Sequence, residues 1–159
     1  MSLPYIILDV ARVAPLALDD FLASLGEAVE PDDDYSNLAF DGADVRASGG
    51  SPADGNPLLS ISGRADVEDL LASWDRRGLD VVARLETEGE DEQEGSLAYY
   101  CPELPNPLAA VPCTRGGAPV VDPVVLRAAA DGQPQSREHL RSAILLDHVE
   151  AYEAALRIR

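Results

Sequence analysis

Two acidic stretches contain the side chains whose type and spacing most directly suggest chemistry. Asp32, Asp33 and Asp34 are consecutive, and ETEGEDEQEG, residues 86–95, holds six acidic residues with no cation among them. Clustered carboxylates can ligate calcium or attract a basic protein. Each stretch is also rich in turn-forming residues, so a solvated loop is the simpler interpretation of both.

The first stretch fails the test for a calcium-binding loop. Counting from Asp32, the sixth position of an EF-hand loop would be Gly and the twelfth Glu, whereas this sequence has Asn37 and Ala43. The aspartates are therefore predicted to cap a turn, and no metal site is predicted in the chain.

The two cysteines do not match a catalytic or disulfide pattern. A cysteine phosphatase loop would place Arg six residues after the Cys, but Pro107 follows Cys101 and Pro119 follows Cys113 at that spacing. Arg115 is the one nearby cation that could favour a thiolate. Both cysteines are predicted to be small apolar residues of the core.

The two histidines are predicted to lie on one C-terminal helix, nine residues apart. At about 100° per residue His139 and His148 would face opposite sides, so they could not share a metal. His148 lies within the apolar side, close in angle to Arg141, and is predicted to be partly buried and hydrogen-bonded. In the first strand, Asp9 is the carboxylate whose burial matters most, and an exposed position on an edge strand is expected.

The charge balance excludes one class of partner. The chain has 29 acidic and 12 basic residues, a formal net charge of −17, and every basic residue is Arg. A nucleic-acid backbone would be repelled. The excess acid is consistent with a GC-rich genome, with adaptation to salt or with a basic partner. No signal peptide or membrane span is recognised, so a cytoplasmic location is expected.

The pattern of elements predicts an α+β fold. Apolar periodicities and caps give strand, helix, strand, strand, helix, strand, the ferredoxin-like β-α-β-β-α-β order with a mainly antiparallel sheet. The predicted elements span residues 5–12, 15–29, 38–46, 58–62, 66–78 and 79–86.

One domain, residues 1–159, is expected from this length. Its core would span residues 4–101, including an extra strand at 96–101. An irregular Pro- and Gly-rich segment, 102–119, and a helical part, 120–159, would follow. A helix begins near Pro123, and a long helix runs from Ser136 to about Ile158. The broad apolar side of this helix needs either the open face of its own sheet or a second copy of the chain.

These features favour a non-catalytic acidic protein that binds a basic protein, as an inhibitor or immunity-type partner would. No catalytic residues and no cofactor motif are recognised, so the chain is not expected to be an enzyme. The expected partner contacts are Asp32, Asp33, Asp34, Glu88, Glu90 and Asp91.

The alternative is a small-molecule or enzymatic site between the sheet and the C-terminal helix. Tyr99, Tyr100, Arg141 and His148 are the expected lining of that pocket, because a sheet covered by helices on one face leaves the other face available for binding.

Overall fold

The part of the chain that the structure describes combines one antiparallel sheet with five α-helices. The computed structural model describes residues 3–31, 57–88, 95–113, 119–121, 123–132 and 134–157. The α+β class predicted from the sequence is therefore confirmed, with helices on both faces of the sheet.

The sheet has six strands in the order β2-β3-β1-β4-β5-β6, and all neighbours are antiparallel. β2 is a two-residue edge strand, whereas the other five have six to nine residues. The strands are β1 (Tyr5–Val13), β2 (Glu30–Pro31), β3 (Leu59–Arg64), β4 (Val81–Thr87), β5 (Gly95–Tyr100) and β6 (Leu108–Cys113).

Five α-helices and one short 3₁₀ turn, Pro15–Ala17, make up the helical part of the described chain. None of these helices has the length and apolarity needed to cross a membrane. The helices are α1 (Leu18–Ala28), α2 (Val67–Arg77), α3 (Pro123–Ala130), α4 (Pro134–Ala143) and α5 (Leu146–Arg157).

Helices α1 and α2 cover one face of the sheet around a fully buried tryptophan. Trp74 contacts the Phe21 ring at 5.7 Å and the Tyr100 ring at 5.6 Å, between centroids. Its indole N–H donates to the Ser24 Oγ at 2.9 Å, and that hydroxyl donates to the Phe21 carbonyl at 2.6 Å. Every buried polar group in this contact is therefore satisfied.

Helix α5 packs on the opposite face, against β1, β4 and β5. Tyr152 and Ala155 are its most buried apolar residues, and they join a second core cluster with Val82, Leu97 and Tyr99. The C-terminal helix thus packs on the sheet of its own chain, which was one of the two arrangements expected from its apolar side.

The sequence sets the limits of α2. The Asp66 carboxylate accepts a hydrogen bond from the Asp69 amide at 3.2 Å, as an N-cap residue should. Gly78 ends the helix in the left-handed region at φ 61°, where a Cβ atom would be strained. Both residues were identified from the sequence as the helix boundaries.

The ferredoxin-like order itself is not confirmed. Among strands longer than two residues the order is β3-β1-β4-β5-β6, and the strand predicted at residues 38–46 lies outside the described residues. β1 is central, with β3 and β4 on its two sides. The expectation that Asp9 lies on an edge strand was therefore wrong.

Two predictions for the C-terminal part need correction. The segment 102–119, predicted to be irregular, contains β6. This strand is hard to recognise in the sequence because small residues and prolines interrupt the alternation of apolar and polar side chains. The long helix predicted from Ser136 to Ile158 is divided into α4 and α5 at residues 144–145. Leu145 has φ 54°, and this turn buries the leucine side chain.

Replacing Asp66 by Ala should lower the free energy of unfolding by about 1 kcal/mol, because the first turn of α2 loses its side-chain cap. Denaturant titration monitored by circular dichroism measures this loss. Asp66→Asn keeps an oxygen acceptor without the charge and should lose much less. Equal losses in the two variants would show that the charge, rather than the hydrogen bond, stabilises this helix.

Candidate functional site

A cavity of about 230 Å³ lies between the β5–β6 connection and the junction of α4 with α5. Its apolar walls come from both sides, and polar groups line the remainder. The lining residues are Leu104, Pro105, Asn106, Ala109, Arg141, Ser142, Leu145, Asp147 and His148. At about 230 Å³ the cavity is smaller than the roughly 300–1,000 Å³ of drug-sized ligand pockets, so its polar groups could surround only a smaller molecule.

The helix break at Leu145 forms one wall of the cavity. Leu145 has a positive φ, which is uncommon for a residue with a bulky side chain. Residues with such backbone angles concentrate at functional sites. The Leu145 amide donates to the Ser142 carbonyl at 3.1 Å, and the Val149 amide donates to the Leu145 carbonyl at 2.9 Å. The turn therefore ends α4 and begins α5 without glycine or proline, which explains why the sequence suggested one helix.

His148 attaches the first turn of α5 to the β5–β6 connection. The side chain is buried, and its Nε2 lies 2.7 Å from the Asn106 backbone carbonyl oxygen. Because a carbonyl only accepts, Nε2 carries the hydrogen in this bond. The predicted burial and hydrogen bond of this histidine are both present, while its backbone partner Asn106 was not identified from the sequence.

Arg141 lies at the rim of the same cavity with two carboxylates. Its Nη2 is 2.7 Å from the Asp147 Oδ1 and 3.5 Å from the Glu150 Oε2. The hydrogen bond to Asp147 raises the pKa of the guanidinium, and the charges of both acids act in the same direction. The group therefore stays cationic, but its charge is already shared by two internal acids.

The two tyrosines predicted for the pocket do not line it. Consecutive strand residues point to opposite faces, so Tyr100 lies in the α1–α2 core and donates to the Leu79 carbonyl at 3.1 Å. Tyr99 lies on the α5 face, where its ring meets that of Tyr152 edge-on at 5.8 Å. The structure thus brings Arg141 and His148 together and separates both tyrosines from them.

A row of polar side chains crosses the α5 face of the sheet. Ser60, Asp9, Arg84 and Tyr99 stand opposite one another on successive strands. The Ser60 hydroxyl donates to the Asp9 Oδ1 at 2.6 Å. The Arg84 Nη1 lies 3.8 Å from Asp9 Oδ2 and 3.6 Å from Glu86 Oε2. Asp9 is therefore half-buried and paired.

Arg84 affects the neighbouring tyrosines. Burial raises the pKa of the Tyr99 hydroxyl, and the charge and hydrogen bond of Arg84 oppose that effect. Burial and the Asp9 charge raise the pKa of Tyr152. Sequence reasoning did not identify Arg84 or Glu86, although the alternation in LDVVARLE places them opposite the apolar face.

Of the six acids expected to contact a partner, the structure describes Glu88. It is exposed just after β4, and its amide donates to the Tyr5 carbonyl at 3.1 Å. Asp32, Asp33, Asp34, Glu90 and Asp91 lie outside the described residues. The predicted binding surface therefore stays a prediction, and the structure adds only that Glu88 is exposed.

The described residues contain no group of three or more His, Cys, Asp or Glu side chains arranged to hold a metal ion. His139 is exposed on α4 and His148 is buried on α5, so they lie on different helices and not on opposite sides of one. Cys101 and Cys113 are buried and are not joined in a disulfide. Burial raises the pKa of the Cys101 thiol to about 12, so this thiol stays protonated at neutral pH.

Comparisons with known proteins gave no match to a family model, to a curated protein or to a solved structure. The function must therefore be inferred from the residues themselves.

Both cysteines should resist a thiol reagent such as dithionitrobenzoate in the native protein at pH 8. Neither side chain is exposed, and the Cys101 thiol is not ionised there. In guanidinium chloride two thiols per chain should react within the mixing time. Rapid stoichiometric labelling of the native protein would contradict this placement of the cysteines.

Proposed function

We propose that this chain is a non-catalytic binding protein whose acidic surface associates with a basic surface of another protein, as an inhibitor or immunity-type partner does. The observation that supports this proposal is the set of ion pairs that the arginines of the chain form with its own acids. Three arginines each lie within 4 Å of two carboxylates. They are Arg12 with Asp80 and Glu103, Arg84 with Asp9 and Glu86, and Arg141 with Asp147 and Glu150.

Each of these groups keeps a net negative charge after its internal pairing, because one cation faces two anions. The arginines therefore hold the acids in place without neutralising them. The whole chain also has more than two acidic residues for each basic residue, 29 against 12. Such a surface attracts cationic proteins over distances of about 10 Å and accelerates their encounter, an effect that added salt screens.

The loop following β4 is the part of this surface best suited to a first contact. Glu88 directly follows β4 and is exposed, and Glu90, Asp91 and Glu92 come after it in the sequence. Residues 86–95 contain no cation in their sequence, so their acidic side chains have no local partner of opposite charge.

Neutralising Glu88, Glu90, Asp91 and Glu92 with Gln or Asn should slow partner association and flatten its dependence on ionic strength, with the melting temperature unchanged. The partner is first captured from a native lysate at two salt concentrations and then measured by surface plasmon resonance. The matched control removes four exposed acids elsewhere and has the same net charge; its substitutions are Asp75→Asn, Asp131→Asn, Glu138→Gln and Glu153→Gln.

The proposal requires the loop variant to lose more association rate than the control. If both variants bind equally well, the loop is not the contact. If no protein with a basic surface is retained at physiological salt, the proposed function itself is wrong.

The second candidate function, a small-molecule site, is favoured by one observation: Arg141 and His148 meet at the same cavity. The site lies between the β5–β6 connection and the start of α5. A ligand there would contact the apolar walls at Leu104 and Leu145 and the polar groups at the rim.

A ligand of this cavity should raise the melting temperature of the wild-type protein in a metabolite screen. Arg141→Gln should reduce that increase, because it removes the charged group at the rim. Arg137→Gln, an exposed change on the same helix, is the control and should retain the increase. A screen in which no compound shifts the wild-type transition would argue against this second function.

We also infer that the first part of the chain has the ferredoxin-like arrangement. The position of β1 between β3 and β4 supports it, as does the packing of α1 on α2 over one face. A longer strand after α1, pairing beside β3, would complete the pattern. Backbone chemical shifts across residues 38–46 are the measurement that decides whether this strand exists.

A further inference from the structure

We propose that two copies of this chain pair edge to edge through β6, forming one continuous antiparallel sheet across a two-fold axis. This inference does not depend on the proposed function. It rests on the chemistry of the edge strand, the direction of its backbone groups and the net charge of the molecule.

β6 is an edge strand without charge. No Asp, Glu, Arg or Lys occurs between residues 104 and 113, in a chain where 26% of residues are charged. Edge strands that remain unpaired usually carry charged side chains, which prevent pairing with another chain. The opposite edge differs, because β2 carries the exposed Glu30. Between Leu108 and Val111 the β6 edge therefore lacks the charged side chains that usually prevent pairing.

The backbone of β6 has free groups directed away from the sheet. Pro112 stands opposite Ser96 and cannot donate, and its carbonyl accepts from the Val120 amide on the outer side at 2.9 Å. By alternation, the N–H and C=O groups of Leu108 and Ala110 point outward as well. Among the described residues, no backbone group bonds them.

The symmetric register follows from these positions. Placing Ala109 on the two-fold axis sets Leu108 opposite the partner's Ala110 and Ala110 opposite the partner's Leu108. Both are hydrogen-bonded pairs, so the contact forms four backbone hydrogen bonds. The pairing of Val120 with Pro112 closes the far end of the edge, which limits other registers.

Apolar surface adjoins this open edge. A shallow groove of about 390 Å³ is lined by Gly95, Ser96, Ala110, Val111 and Pro112. Val120, whose amide donates to the Pro112 carbonyl at this edge, is 38% exposed. Two-fold pairing would bring these apolar surfaces of the two copies toward each other and remove part of their area from water.

Charge identifies the occupant as a second copy. A basic protein would find no acidic side chain among residues 104–113 to pair with. Two molecules that each carry −17 repel one another, and an uncharged edge is where they approach with the least repulsion. Dimerisation here should therefore become stronger as salt is added, whereas binding of a basic partner becomes weaker.

The test uses Ala110→Pro in the full chain. The Ala110 N–H points outward, so proline should leave the monomer folded, as Pro112 does at the same edge, while removing two of the four intermolecular hydrogen bonds. Ala110→Ser keeps the N–H and is the matched control. Light scattering after size exclusion should give two chains for wild type and control and one chain for Ala110→Pro at the same concentration, with at least a tenfold weaker dimerisation constant.

The outcomes are separable from those of the proposed function. Wild-type protein that stays monomeric at about 100 μM in both 0.1 M and 1 M salt overturns the dimer, whether or not a basic partner binds. So does a folded Ala110→Pro variant that remains dimeric. If Ala110→Pro lowers the melting temperature, Ala110→Asp decides instead: it places like charges across the axis and must abolish the dimer.

Discussion

Covering both faces of one antiparallel sheet is the constraint on which the rest of this structure depends. Antiparallel sheets often leave one face in water, but here β1 and β4 bury apolar side chains on one face and, at Ala11 and Val82, on the other as well. Helices α1 and α2 cover one face around Trp74, and α5 covers part of the other around Tyr152. Since a single helix is narrower than six strands, the second face is only partly apolar, and Asp9, Arg84 and Glu86 occupy the remainder.

The same constraint places the cavity. A straight helix from residue 134 to 157 could not both contact α3 and lie along the sheet, and the chain therefore turns at Leu145. That turn sets Arg141 and His148 on either side of a gap, while the hydrogen bond from His148 to Asn106 fixes the distance between helix and loop. The cavity is thus a consequence of how α5 reaches the sheet.

Local signals in the sequence predicted most of the first hundred residues. Asp66 and Gly78 define α2 through hydrogen bonding and backbone geometry that depend on near neighbours, and such features can be predicted from one sequence. The bulge between Val10 and Arg12, which turns Ala11 toward α5, depends on pairing with β4 and has no local signal. β6 was missed because Pro112 and small residues suggest a loop, although proline is acceptable at a sheet edge. For the candidate site, helical periodicity predicted the burial of His148. Tyr99 and Tyr100 were assigned to one pocket, although consecutive strand residues face opposite sides of the sheet.

The shared arginines also determine which solution conditions the molecule responds to. A guanidinium keeps its proton at every pH at which proteins are ordinarily handled, and solvated carboxylates are ionised above about pH 5. The chain has no lysine and only two histidines beside its 29 acidic residues. Its electrostatic potential should consequently change little between about pH 7 and pH 9, above the ordinary range of histidine titration. Ionic strength, and not acidity, is then the variable that tunes how far this protein attracts or repels its neighbours.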